Sequence, residues 1–319
     1  MGHGPLPPYL TPMILFSHDA ALRHVTPPGH PERVARIEAV AEALSDMTLD
    51  RRSCPPAEDG TLLRGHPQEY IDAITRAEPH EGLQQLDPDT WMSPGSVEAA
   101  RRAVGGACAA VDAVMDARSE HPRAFVAMRP PGHHAEASRS MGFCLFSTVA
   151  LAALHAAEAH GLTRIAVVDF DVHHGNGTQD VLWSEERVRF ATSQQMPLWP
   201  GTGDPSERGA HGQVMNVPLA PGTGGAEMRR AYEQRVLPWL DAYAPELVLV
   251  SAGFDAHADD PLANLEWSDA DFAWVTARLV ELAEAHAGGR VVSCLEGGYD
   301  LGALGRSVRA HADALAEGL

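Results

Sequence analysis

The chain is 319 residues long, 45% hydrophobic and 21% charged, a balance that excludes wholesale disorder, collagen-like repeats and a membrane bundle and leaves room for a sizeable core. Lys and Arg total 24 against 43 Asp and Glu, a formal net charge of −19, and all 24 are arginines. So acidic a surface argues against direct nucleic-acid binding and mildly concentrates cationic substrates.

In chain order, the opening MGHGPLPPYLTPMILFSHDA has no basic leader and an interrupted apolar run, and no stretch of about 18 apolar residues follows, so neither export nor membrane insertion is expected. The four cysteines, Cys54, Cys108, Cys144 and Cys294, lie far apart without a Cys-x-x-Cys pair. That fits neither a disulfide framework nor a zinc finger and points to a reducing cytoplasm. His30-Pro31-Glu32-Arg33 reads as the start of a helix over 31–44 with proline in its first turn. Ser93-Pro94-Gly95-Ser96 opens a second helix over 94–117, and Asp87 and Asp89 ahead of it are candidates for gripping a substrate backbone. Beyond it, β-branched runs at 124–128, 164–169, 188–192, 246–251 and 290–295 predict strands, and the intervals 146–160, 178–184, 225–243, 269–286 and 302–316 predict helices. Trp183, Trp239, Trp267 and Trp274 fall in helical patterns and read as core. With no repeat or long linker, one domain over residues 1–319 is expected: an α/β fold with a mainly parallel central sheet and helices on both faces, in three α/β/α layers.

In open α/β sheets, ligands bind beyond the carboxyl ends of the strands. The segments there read RPPGHHAE, DFDVHHGNGTQ, AGFDAHADDP and EGGYD. Asp171 and His173 alternate at a strand end, which points both side chains to one side, and Asp255 ends another strand. Two carboxylates and one imidazole leave coordination positions open, as a catalytic divalent metal requires. His133 and His134 suit a general acid and base pair, because imidazole titrates near neutrality, and Asp169 and Asn176 are the natural partners for their second ring nitrogens. Tyr299, after Gly297-Gly298, can aim a phenol at a developing oxyanion. Cys144 lies near these motifs and reads as packing rather than as a nucleophile.

Taken together and in this order, RPPGHHA, GFC, VDFDVHHGNGTQ, PGTG, SAGFDAHADDP and LEGGYD resemble the zinc-dependent histone deacetylase superfamily. DVHHGNGTQ and LEGGYD resemble its class II branch and the bacterial histone deacetylase-like and acetylpolyamine amidohydrolases. The resemblance runs from about His30 to Tyr299 and implies the arginase-like fold, with Zn2+ on Asp171, His173 and Asp255 and K+ beside it, on Asp169, Asp171 and His173 with backbone oxygens. It implies His133 and His134 as the tandem histidines, with His134 favoured as the base, Asp169 and Asn176 as their partners, and Tyr299 as the oxyanion donor. Gly142, Phe143 and Trp199 match an acyl-lysine tunnel, with Gly298 counted among the substrate-binding residues. Leu262 stands where polyamine-selective relatives place an acidic gatekeeper. Ser147 and Gln194 depart from the Asn and His common in relatives, and both lie outside the ligand set.

The activity implied is deacetylation of N-acetyl-lysine in a peptide or protein, or of a small acylated amine, by metal-activated water with release of acetate. An acetylpolyamine amidohydrolase is the nearest alternative. A dinuclear manganese ureohydrolase is more distant: Asp255, His257 and Asp259 alternate and could add ligands, yet Gly175 leaves the other side short and Tyr299 would have no role. A catalytically idle acyl-lysine-binding module is the remaining alternative, and a homo-oligomer is left open.

Overall fold

The computed structural model describes residues 13–117 and 121–317, so the expectation about an N-terminal leader falls partly outside the described residues. Among them, no helix is long and apolar enough to cross a membrane. The strands are β1 (Ile14–Ser17), β2 (Asp50–Ser53), β3 (Gln84–Gln85), β4 (Trp91–Met92), β5 (Arg123–Ala127), β6 (Ile165–Asp169), β7 (Val188–Gln195), β8 (Val214–Leu219), β9 (Leu247–Ala252) and β10 (Val291–Leu295). The helices are α1 (Val34–Ala43), α2 (Asp59–Leu62), α3 (Gln68–Ala77), α4 (Ser96–Met115), α5 (Thr148–Ala159), α6 (Asn176–Val181), α7 (Gly225–Ala231), α8 (Leu237–Asp241), α9 (Asp269–His286) and α10 (Leu301–Glu317).

Eight strands form one sheet in the order β2-β1-β5-β10-β9-β6-β7-β8, and each neighbouring pair is parallel. Strands β6, β9 and β10 are mainly apolar and buried throughout, as a parallel sheet covered on both faces demands. Helices α4 and α5 pack on each other and against β1, β5, β10, β6 and β9. Helices α9 and α10 also pack on each other, with α1 on α10, and lie against β9, β10 and β5. The α/β expectation therefore holds. Because the strands are parallel, their carboxyl ends share one edge, and the segments 128–147, 170–175, 196–213, 253–268 and 296–300 gather there.

The five predicted strands emerge as β5, β6, β7, β9 and β10, and the helix predicted over 269–286 starts and stops as drawn. Its start is fixed by a capping box in which the Ser268 N–H donates to Asp271 Oδ2 at 2.9 Å. The expectation over 31–44 needs correction, because helix α1 begins only at Val34. Glu32 is buried instead in a charge cluster, accepting from Arg129 Nε and Nη2 at 2.6 Å each and from Arg36 Nη1 at 3.2 Å. The helix predicted over 225–243 is interrupted by a π-helical turn at Tyr232–Val236. Pro238 has no N–H to continue the α ladder, and the Leu237 N–H reaches back to the Tyr232 carbonyl. Trp183 is exposed rather than core, and Trp267 is fully buried but lies ahead of α9, bridged to His257.

His311 of α10 sits inside the core. Its Nδ1 faces Thr276 Oγ1 at 2.6 Å, its Nε2 faces Ser293 Oγ at 2.9 Å, and the rings of Phe125, Phe170 and Phe254 surround it. Burial pushes its pKa down from 6.5 to about 3. Above pH 6.5 neither state carries the proton and this site leaves stability intact. As the pH falls below that value, the unfolded imidazole charges and the folded one does not, so stability falls by about 1.4 kcal/mol per pH unit from this site. Denaturant melts of wild type and His311→Gln between pH 7 and about 4 test this, and an unchanged slope in the variant would refute it.

Candidate active site

Three loops supply the floor of the site. Just past β6, Asp171 and His173 alternate, and Asp255 follows β9. His173 Nδ1 lies 3.1 Å from Asp171 Oδ1 and 3.1 Å from Asp255 Oδ2. The second oxygen of each carboxylate is anchored by backbone: Gly297 N–H donates to Asp171 Oδ2 and Val172 N–H to Asp255 Oδ1, both at 2.9 Å. One oxygen per carboxylate is thus left facing the imidazole, and the three ligand atoms lie within 4.8 Å of one another.

The surroundings fit a cation. A Cβ at Gly253 would come 2.0 Å from Asp171 Oδ2, and one at Gly297 would come 2.2 Å from Asp255 Oδ2. Two glycines therefore hold open the space that the carboxylates fill. Asp169, Asp171, Asp255 and Glu296 are all buried here. Burial and mutual repulsion push Asp169 up to about 6 and Glu296 up to about 7. Burial opposes charge on His173, yet Asp171 and Asp255 outweigh it and lift the imidazole to about 10. Such an excess of buried negative charge is what added positive charge relieves.

Above the floor, the rings of His133 and His134 lie 3.9 Å apart. His133 Nδ1 faces Asp169 Oδ2 at 3.0 Å, and His134 Nδ1 faces Asn176 Oδ1 at 2.7 Å. Each ring therefore has one nitrogen fixed and presents Nε2. Burial disfavours charge on both. At His133, Asp171 and Asp169 outweigh burial and raise the pKa well above 6.5. At His134, repulsion from His133 and His173 adds to burial and holds it well below 6.5. Two adjacent imidazoles are thereby driven apart, one charged and one neutral.

Tyr299 is buried, and burial keeps its phenol protonated, well above its usual range. The preceding Gly298 adopts φ +119°, a left-handed conformation that suits glycine. Arg36 lies 4.8 Å over the Tyr299 ring and donates from Nε to the Gly298 carbonyl at 2.6 Å. Asp260 Oδ2 accepts the Tyr299 N–H at 2.7 Å.

A narrow cavity of about 270 Å³ descends to this chemistry. His134, Gly142, Phe143, His173, Trp199, Leu262 and Tyr299 line it, together with His30, Pro31, Asp89 and Leu198. Gly298 does not line it, contrary to expectation, and acts on Tyr299 from below. Gly142 has φ +56°, and a Cβ there would come 2.4 Å from His134 Cδ2 and 2.6 Å from Trp199 Cη2. Phe143 follows at φ +69°, strained for a residue with a side chain.

The residues that would extend the centre to a second metal diverge. His257 Nε2 lies 3.2 Å from Asp269 Oδ1, and the exposed Asp259 pairs with Arg306 at 3.1 Å. Cys144 is buried with its thiol pushed well up, donating to the Gly142 carbonyl at 3.2 Å, so it packs. Of the two departures, Ser147 places its N–H on His66 Nε2 at 3.0 Å, while Gln194 Nε2 donates to the Gly203 carbonyl at 2.9 Å. Sequence reasoning missed Glu296, which accepts the N–H groups of Gly132 (2.7 Å) and His133 (3.2 Å) and so fixes the tandem-histidine loop. Its signal was a carboxylate placed directly between an apolar strand and two glycines.

A family model described as the histone deacetylase domain matches residues 30–315. The histone deacetylase-like amidohydrolase of Pseudomonas aeruginosa is 40% identical over 287 residues, covering 86% of this chain and 74% of that protein. The chloroplastic histone deacetylase 14 of Arabidopsis thaliana is 36% identical over 316 residues, covering 92% and 74%. Among solved structures, the HDA15 HD domain superposes with a TM-score of 0.89 at 31% identity, covering 96% of this chain and 88% of that one.

Proposed function

The chain belongs to the histone deacetylase family, and from that premise we propose a zinc-dependent amidohydrolase that removes the acetyl group from N-acetyl-lysine or a small acylated amine and releases acetate. The observation that carries the reading is that His134, His173 and Tyr299 face one narrow cavity directly over Asp171 and Asp255.

Asp171, His173 and Asp255 would hold zinc, which when bound polarises the acyl carbonyl and makes a water nucleophilic at neutral pH. Nε2 of His134 carries the lone pair, because its Nδ1 proton is committed to Asn176 Oδ1. It takes the proton of the attacking water. The Tyr299 hydroxyl donates to the oxyanion that develops on the acyl carbonyl. His133, kept cationic by Asp171 and Asp169, gives a proton from Nε2 to the departing amine. Phe143 and Trp199 flank the aliphatic stem, and their apolar faces exclude water around it. A potassium ion on Asp169, Asp171 and His173 with backbone oxygens would complete the reading, and the surplus of buried carboxylate supports it.

Leu262 at the rim favours acyl-lysine over a polycationic acetylpolyamine. The test measures acetate release by the zinc-loaded enzyme from acetyl-lysine peptides and from acetylpolyamines. Peptide turnover is expected to dominate, and Leu262→Glu should shift the preference toward the polyamine by about tenfold, one well-placed charge contact. No acetate from either substrate at full metal occupancy would favour an idle binding module. Urea released from arginine or agmatine would favour the ureohydrolase.

A further inference from the structure

A second group of metal-binding side chains lies outside the active site, where α4 packs on α5. Asp112 stands near the end of α4, His155 lies within α5 and His160 caps its carboxyl end. Nε2 of His155 and Nε2 of His160 each lie 2.7 Å from the same oxygen, Asp112 Oδ1. We propose that Asp112, His155 and His160 form a second metal site, one that takes a divalent transition ion such as Zn2+, Co2+ or Ni2+ and staples α4 to α5.

The donor chemistry selects the ion. Two imidazoles and one carboxylate suit these metals, whereas Mg2+ and Ca2+ take oxygen ligands almost throughout. The spacing is within a small side-chain shift of what is needed, since ligand atoms at about 2.0–2.2 Å from a shared tetrahedral ion sit about 3.3–3.6 Å apart. The Asp112 side chain is 55% exposed, which gives an ion access and leaves room for water to complete the coordination. The buried Nδ1 of His155 has no hydrogen-bond partner. A metal ion replaces the Nε2 proton that this ring now shares with Asp112 Oδ1, and the free Nδ1 can carry the ring proton in its place. The backbone needs no rearrangement, because Asp112 and His155 stand on packed helices. A chain of net charge −19 also attracts cations.

The test uses the full chain, stripped with chelator and equilibrated with micromolar free Zn2+. Bound metal is counted by mass spectrometry, and Tm is followed against zinc. The Asp255→Ala background removes the active-site centre, so the two readings fail independently. In that background one zinc per chain should remain and Tm should rise with zinc. Adding His160→Ala should weaken both, with the zinc Kd rising by about tenfold or more for the lost ligand. His160→Ala alone should leave deacetylase turnover at the wild-type level. Co2+ loading of the Asp255→Ala protein should give visible absorption bands that Asp112→Asn removes. His155→Gln repeats the count should His160→Ala misfold. Equal zinc retention and equal Tm response in the Asp255→Ala parent and its His160→Ala, Asp112→Asn and His155→Gln derivatives would overturn the site and leave a hydrogen-bonded triad.

Discussion

Tyr299→Phe is expected to lower kcat on an acetyl-lysine peptide by about 10²- to 10³-fold with KM almost unchanged. The substitution deletes one hydroxyl and keeps the ring, whose packing against Phe143 (centroids 5.8 Å apart) and under Arg36 persists. The backbone of the loop is held independently, by Asp260 on the Tyr299 N–H and Arg36 on the Gly298 carbonyl. The lost contact therefore belongs to the oxyanion of the transition state and not to ground-state binding, which is why the loss falls on kcat. Circular dichroism and zinc content should match wild type. Wild-type kcat in the variant would eliminate the phenol as oxyanion donor.

His134→Ala should lower kcat/KM by about 10²- to 10⁴-fold, the usual contribution of a positioned base. The same residue sets the acid side of the pH profile. A base works when neutral, and burial together with His133 and His173 holds His134 well below 6.5. Activity should consequently persist as the pH falls through 6.5 and decline only at the lower pKa. Asn176→Ala, which frees the Nδ1 contact of 2.7 Å, should lower kcat/KM by about tenfold or more through the disordered imidazole. An acid limb centred at or above pH 6.5 in wild type would count against His134 as the base.

What was legible in the sequence follows physical lines. Buried parallel strands such as β9 and β10 announce themselves as mainly apolar runs, so their ends, and the chemistry on the loops after them, could be found. Edge strands do not. β2 reads DRRS and is mostly exposed, and β8 contains Pro218, which a ladder tolerates at an edge but which breaks the strand pattern in sequence. β1 is only four residues long and its pairing partners lie tens of residues away. Asp171, His173, Asp255 and the tandem histidines were readable because short motifs hold them. Arg36, Glu296 and Asp260 were not, because their roles come from hydrogen bonds to backbone groups remote in sequence, as when Arg36 reaches Gly298.

Gly142 and Phe143 also bear on how the enzyme's selectivity can be changed. Residues 142 and 143 occupy left-handed backbone positions, and Gly142 has no room for even one methyl group. Mutagenic libraries aimed at longer or branched acyl groups will find that side of the passage immutable. Diversity belongs at Leu262, because the half-open Trp199 packs edge-on against His134 with ring centroids 4.7 Å apart, and a smaller side chain there would loosen the imidazole.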